Sequence, residues 1–258
     1  MSSGFQRFND LHHVGNLFVL PNVWNAKSAV IFQEKNFQAV ATSSAAVADS
    51  LGYKDGEQMP FTDYLFIIER ILSSVQIPLS VDIEMGYGRS DEEIYTNFRK
   101  LAELGVAGIN IEDSIINKQE RILKDATIFA RTIETIKTRS EAERLQLFIN
   151  IRCDTFILNV ENKQQETINR LKIYNSTGAD GIFLPCISAE EDIAGAVNNT
   201  KLPLNVMCIP GLPNFETLNK LGVKRVSMGP FLFNKIYTEA DRLSETIITD
   251  NNFSTILS

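Results

Sequence analysis

Repetition constrains this chain more than any other feature: eight short runs rich in apolar and β-branched residues alternate with amphipathic segments of helical period. The runs are Leu17–Pro21, Ala39–Thr42, Leu79–Glu84, Gly108–Glu112, Leu147–Arg152, Gly181–Leu184, Leu204–Cys208 and Arg225–Met228. They are almost continuously apolar, as strands covered on both faces must be, and strand–helix alternation of this kind builds a parallel sheet. Eight such units within 258 residues match one (β/α)8 barrel, so residues 1–258 are read as a single α/β domain of TIM type. An open, doubly wound sheet is the alternative. Eight units, and the lack of a Gly-rich dinucleotide turn after the first run, argue against it.

The intervening segments read as helices laid on that sheet. Ile94, Phe98, Leu101 and Leu104 share one face behind Ser90, Asp91, Glu92 and Glu93, whose caps and charges suit a helix N-terminus. Tyr64, Ile67, Ile68 and Ile71 make a second stripe after Thr62 and Asp63; Ile168, Leu171 and Tyr174 make a third. Three similar turns, ELGVAG, STGADG and KLGVKR, put Gly105, Gly178 and Gly222 where a helix C-cap calls for glycine. No Pro/Gly/Ser-rich linker divides the chain.

A net charge of -7 argues against nucleic acid as a partner. No run of about 18 apolar residues and no apolar leader occur, so neither membrane insertion nor export is expected. Cys153, Cys186 and Cys208 are too few and too scattered for a metal knot or disulfide framework and read as reduced thiols, which fits a cytoplasmic protein. His12 and His13 fall in an N-terminal helix, before the first run.

In a parallel barrel the strand C-termini converge on one mouth. Three of these ends are acidic: SVDIEMGYG carries Asp82 and Glu84, GINIEDS carries Glu112 and Asp113, and NIRCD carries Arg152 and Asp154. Alternation along a strand turns Asp82 and Glu84 to the same side. Crowded carboxylates repel unless a cation joins them, and an oxygen-only set suits Mg²⁺ or Mn²⁺ rather than zinc. Asp82 is the expected direct ligand, with Glu84 and Glu112 binding directly or through water. Asp113 either joins them or caps a helix. Arg152 either balances these charges or clamps an anionic substrate. Trp24 and Tyr53 either line the mouth or pack beneath it, and Trp24 is grouped with the substrate-binding set.

The segments LPNVWNAKSA, ATSSAAVADSLGYKDGE, SVDIEMGYG, GINIEDS and NIRCD, in this order and spacing, resemble the isocitrate lyase/phosphoenolpyruvate mutase superfamily over nearly the whole chain. The resemblance implies that Ser43, Ser44 and Ala45 hold the carboxylate and oxygen of a pyruvyl group, and that Asp55 lies near a metal shell of Asp82, Glu84 and Glu112. Arg152 then clamps the substrate, and Asn205 faces the same mouth. Glu84 stands where many members have aspartate. The implied chemistry is Mg²⁺-assisted stabilisation of a pyruvate enolate while a C–P or C–C bond of a small 2-oxo acid or phosphonate breaks. Exchange of the last helix between subunits of a homodimer or homotetramer is implied as well.

Departures from the family pattern narrow this reading. The lyases' Lys-Lys-Cys-Gly-His loop is replaced by SIINKQERILK, so isocitrate and methylisocitrate cleavage by that route are not expected. Lys118 takes the place of the mutases' gating-loop lysine, but Glu120 stands where their nearby asparagine is expected. Asp55, Lys118 and Arg152 are the catalytic candidates. A catalytically silent barrel that binds a small dicarboxylate is the competing reading.

Overall fold

The computed structural model describes residues 3–118 and 120–257. Its strands are β1 (Phe18–Leu20), β2 (Asn22–Val23), β3 (Val40–Thr42), β4 (Leu79–Asp82), β5 (Gly108–Glu112), β6 (Ser114–Asn117), β7 (Glu120–Leu123), β8 (Phe148–Arg152), β9 (Gly181–Leu184), β10 (Leu204–Met207) and β11 (Arg225–Ser227). Nine of them form one parallel sheet in the order β1, β11, β10, β9, β8, β5, β4, β3, β2. The two ends of this order are separated in the chain by Pro21 alone. Proline has no N–H to give the ladder, so the stave is interrupted there: β1 pairs with β11 and β2 with β3, which brings the sheet round into a (β/α)8 barrel.

Around it lie α1 (Gly4–His13), α2 (Ala26–Glu34), α3 (Ser44–Ser50), α4 (Phe61–Leu72), α5 (Asp91–Glu103), α6 (Ala126–Ala142), α7 (Lys163–Tyr174), α8 (Glu190–Asn199), α9 (Phe215–Lys220), α10 (Phe231–Asp250) and α11 (Ser254–Leu257). The α5 stripe buries Ile94, Phe98 and Leu101, and the Ser90 hydroxyl accepts from Glu93 N at 3.3 Å. Leu104, expected on the same face, is exposed because it follows the last helical turn. Each deeply buried Phe, Leu or Ile of this layer contributes roughly 1.5–3 kcal/mol, which pins the helix to the strands and so fixes the strand ends. Gly105, Gly178 and Gly222 all have left-handed φ (88°, 76°, 92°), as the three repeated turns require. Among the described residues no helix is long and apolar enough to cross a membrane.

One end of the barrel is plugged. Helix α1 lays Phe8 edge-on to Phe148 (5.4 Å between centroids) and stacks His12 on the same ring (4.1 Å). His12 Nδ1 lies 2.9 Å from Phe8 O, so Nδ1 carries the proton; burial and the nearby Arg225 charge push the imidazole well below its usual pKa. Above this floor the interior is polar. Arg225 Nη2 (3.0 Å) and Asn150 Nδ2 (2.8 Å) both donate to Asn110 Oδ1, and Asn205 Nδ2 donates to Asn150 Oδ1 at 2.6 Å. Gly181 makes room for this chain of amides, since a Cβ there would sit 2.6 Å from Asn150 Oδ1.

Two features differ from the expectation. The run through Glu84 stops being a strand at Asp82, and Glu84 adopts φ 50°. The stretch after β5 is an antiparallel hairpin, β6–β7, in which Ser114 pairs with Leu123.

Candidate active site

At the open mouth is a cavity of about 270 Å³ lined by residues from every side of the barrel. Asn22, Ser43, Ser44, Ala45, Asp55, Asp82, Asn110 and Arg152 lie on its wall, so five separate staves, β2, β3, β4, β5 and β8, contribute to one mouth as the barrel argument requires.

Asp82 is held from behind. Its N–H donates to Thr42 Oγ1 (3.0 Å), its carbonyl accepts from Tyr64 OH (3.0 Å), and Tyr64 and Thr42 share a 2.5 Å hydrogen bond. The strand end is therefore fixed by three contacts that do not use the carboxylate. One carboxylate oxygen accepts from Ser44 Oγ at 2.8 Å; the other, Oδ1, is buried with no hydrogen-bond partner. Burial pushes this carboxyl up, and Arg152 and Ser44 pull it back. The N–H groups of Ser44 and Ala45 lie in the first turn of α3, where no intrahelical acceptor exists.

Arg152 carries the positive charge of this wall. Nε lies 2.6 Å from Asp154 Oδ1, and Nη1 lies 3.0 Å from Glu112 Oε2. Burial works against this cation, but Asp154 and Asp82 outweigh it and hold the guanidinium above its usual range. Ser114 Oγ donates to Asp154 Oδ2 at 2.6 Å. From the hairpin, Arg121 Nη1 pairs with Glu112 Oε1 and lies 3.7 Å from Asp154 Oδ2. The site is thus a network of two arginines and two buried carboxylates beside Asp82. Sequence reasoning missed Arg121, since a basic residue in a charged loop carries no signal of its own; only the hairpin register turns it inward.

Several expected residues sit elsewhere. Glu84 does not line the cavity: its left-handed backbone turns Oε2 to Glu57 N (2.9 Å) and Oε1 to Tyr87 OH (3.1 Å). Burial, aided by Asp55, Asp82 and Glu57, pushes it up to about 8. Glu112 is engaged by arginines rather than open to a cation. Among the described residues no three His, Cys, Asp or Glu side chains are grouped to hold a metal. The expectation of a joint shell of Asp82, Glu84 and Glu112 is therefore corrected. What remains for a hard cation is the unpartnered Asp82 Oδ1 with Asp55 on the same wall, a fit for Mg²⁺, which keeps most of its waters. Trp24 is buried and packs on Phe233 (5.3 Å) instead of lining the cavity. Asn205 lies below it, in the interior amide chain. Lys118 is exposed at the hairpin turn with φ 48° and does not reach the cavity. Tyr53 donates to Asp63 at 2.8 Å and serves α4.

The profile of the phosphoenolpyruvate phosphomutase family matches residues 8–248 of this chain. The chain belongs to that family. Among its relatives is an uncharacterized protein of Mycobacterium tuberculosis, 37% identical over 86% of this chain and 81% of the relative. An oxaloacetate decarboxylase of Pseudomonas entomophila is 26% identical over 86% of this chain and 77% of its own. A solved structure from Burkholderia cenocepacia, assigned by name to the phosphonomutases, superposes with a TM-score of 0.88 at 31% identity, covering 95% of this chain and all (100%) of the other. For a member of the phosphomutase family the open end of the barrel is the expected seat of chemistry, and here that end holds a cavity wall with Asp82 and Arg152 on it.

Proposed function

We propose that this protein is a Mg²⁺-dependent enzyme that stabilises the enolate of a small 2-oxo acid while a bond at the third carbon breaks. The observation that carries this reading is the orphaned Asp82 Oδ1, buried at a cavity wall that also carries Ser44, Ala45 and Arg152. A buried anionic oxygen without a donor is costly, and a cation answers it. Asp82 would hold Mg²⁺, with Asp55 on the same wall acting through its waters. When bound, the ion supplies Lewis-acid stabilisation of the developing enolate oxygen.

The chain's own groups do the rest. The Ser44 and Ala45 N–H groups donate to the carboxylate and oxygen of the pyruvyl end, rigidly and without reorganisation. Arg152, braced by Asp154 and Glu112, orients the leaving group on C3. When that group is a carboxylate it departs as carbon dioxide, its bonding pair stays on C3–C2–O as the enolate, and a proton from solvent returns to C3. The hairpin closes over Glu112 through Arg121 and carries neither cysteine nor histidine, so we exclude the cysteine-dependent methylisocitrate cleavage and read Lys118 as a group that arrives only if the hairpin moves. Cys153, Cys186 and Cys208, all free thiols, support our reading of the protein as cytoplasmic. Helix α10 exposes Ile236 and Tyr237 and buries only Phe233, and we assign the exposed face to a second copy of the chain.

The test is thermal unfolding with Mg²⁺ and oxalate, a planar mimic of the enolate, followed by assay of pyruvate release from oxaloacetate, phosphonopyruvate and substituted malates. A Mg²⁺-dependent rise in Tm with oxalate, and release from one of the panel, is expected. No shift with oxalate leaves the silent, dicarboxylate-binding barrel as the surviving reading.

A further inference from the structure

The cavity is divided by the barrel's own strand order. From β2 round to β8 its wall is polar; from the loop after β8 through β9 and β10 to the start of α10 it is built of Ile157, Phe183, Pro185, Met207, Pro230 and Phe231. Among the described residues the one polar side chain on this half, Ser227, gives its hydroxyl proton to Val206 O at 3.4 Å. Arg152 is the one cation on the wall among the described residues, and Asp154 and Glu112 already engage three of its nitrogens. A second anionic group on the substrate, pointing to the β9–β10 side, meets no donor there, and an unpaired charge in a dry cleft is strongly disfavoured. An alkyl group in the same place loses only water.

We propose that the substrate carries an aliphatic branch on the carbon chain facing Phe183, Met207 and Phe231: a 2-oxo acid, or its 2-hydroxy counterpart, with an alkyl substituent at C3 and its leaving group on the Arg152 side. This rests on the enolate-binding reading of the polar half. It adds that the specificity of the site is set by the β9, β10 and α10 wall, with Ile157 (40% exposed) and Phe231 (41% exposed) as its outer rim.

Isothermal titration at saturating Mg²⁺ with oxalate, pyruvate, 2-oxobutanoate, 3-methyl-2-oxobutanoate and oxaloacetate tests it. Burial of a methylene strengthens binding about fourfold, so affinity is expected to climb at each added carbon and to exceed that for oxaloacetate. Met207→Lys sets a cation in the apolar half and is expected to reverse the order, favouring oxaloacetate by tenfold or more over the branched acid. The rim variants Ile157→Ser and Phe231→Ser, at half-exposed positions that leave the core intact, are expected to lose the alkyl increment and keep oxalate binding. Equal affinity for pyruvate and its alkyl homologues while oxalate binds overturns this inference alone. Failure of oxalate itself overturns the reading beneath it.

Discussion

Glu112 and Asp113 are adjacent, both carboxylates and both fully buried, yet they belong to different regions of the molecule. Glu112 ends β5 and faces the mouth, where Arg121 pairs with one oxygen and Arg152 approaches the other at 3.0 Å without aligning an N–H on it. Asp113, one residue on, faces outward to α7. It accepts from Tyr174 OH (2.7 Å), Arg170 Nη1 (3.0 Å) and the Asp154 N–H (2.8 Å). The outward carboxylate is saturated by groups the fold supplies; the inward one is balanced by the charges of two arginines, and the inward region keeps its reserve at Asp82, whose Oδ1 has no partner on the cavity wall. Completed hydrogen bonding marks a structural carboxylate, and incomplete bonding at a cavity marks one available to a ligand.

The largest effect expected from this contrast is on stability. Arg170→Met removes the cation from a fully buried carboxylate and is expected to destabilise the fold by about 3–5 kcal/mol, read as the urea midpoint. Ligand binding by the folded fraction should survive. Arg152→Met should do the reverse, because Arg121 and Ser114 still serve Glu112 and Asp154: a smaller loss of stability with Mg²⁺–oxalate binding gone. Loss of oxalate binding in Arg170→Met at unchanged stability breaks the distinction.

Much of this was legible before any coordinates. Eight apolar runs defined the staves to within a residue or two, and Gly108–Glu112 and Gly181–Leu184 match β5 and β9 at both ends. Ser43, Ser44, Ala45, Asp55, Asp82 and Arg152 do meet at one cavity. The sequence leaves Asp113 open because alternation depends on knowing where β5 ends and which face is inward. Glu84 departs from its expected place for the same reason: period-two reasoning holds only while the strand lasts, and a single left-handed residue redirects the side chain. Arg121, Asn110 and the apolar wall of Phe183 and Met207 carry no local signature. They become site residues only through the hairpin register and the closing of the barrel.

Removing the inward charge at its centre should act on binding rather than folding. Asp82→Ala is expected to abolish the Mg²⁺-dependent stabilisation by oxalate, which for ligand at one hundred times its Kd is about 2.7 kcal/mol. Without ligand the variant should be no less stable than the native chain, since Asp82 is a half-buried carboxylate whose Oδ1 is buried and unpaired. Asp113→Asn, the outward counterpart, should retain the oxalate shift. A persistent shift in Asp82→Ala transfers the metal role to Asp55.

The smallest effect sharpens the comparison through protons. Glu84 shares the inward region, its carbonyl accepting from Glu112 N at 2.9 Å, and its carboxyl is raised from 4.5 to about 8. A carboxyl whose folded pKa lies above its unfolded one binds more protons in the folded state, so metal-free stability falls as pH climbs through that window. Water reaches part of this cluster, so the slope should be a fraction of the ~1.4 kcal/mol per pH unit that one whole proton gives. Urea midpoints from about pH 5 to about pH 8 in the presence of a chelator should show this decline in the native chain and a flatter line in Glu84→Gln. Asp113 is also raised by burial, but Arg170, Tyr174 and the Asp154 N–H hold it, so Asp113→Asn should cost stability across the whole range instead of changing the slope. A slope carried by Asp113 and untouched by Glu84→Gln reverses which of the two regions stores the reserve.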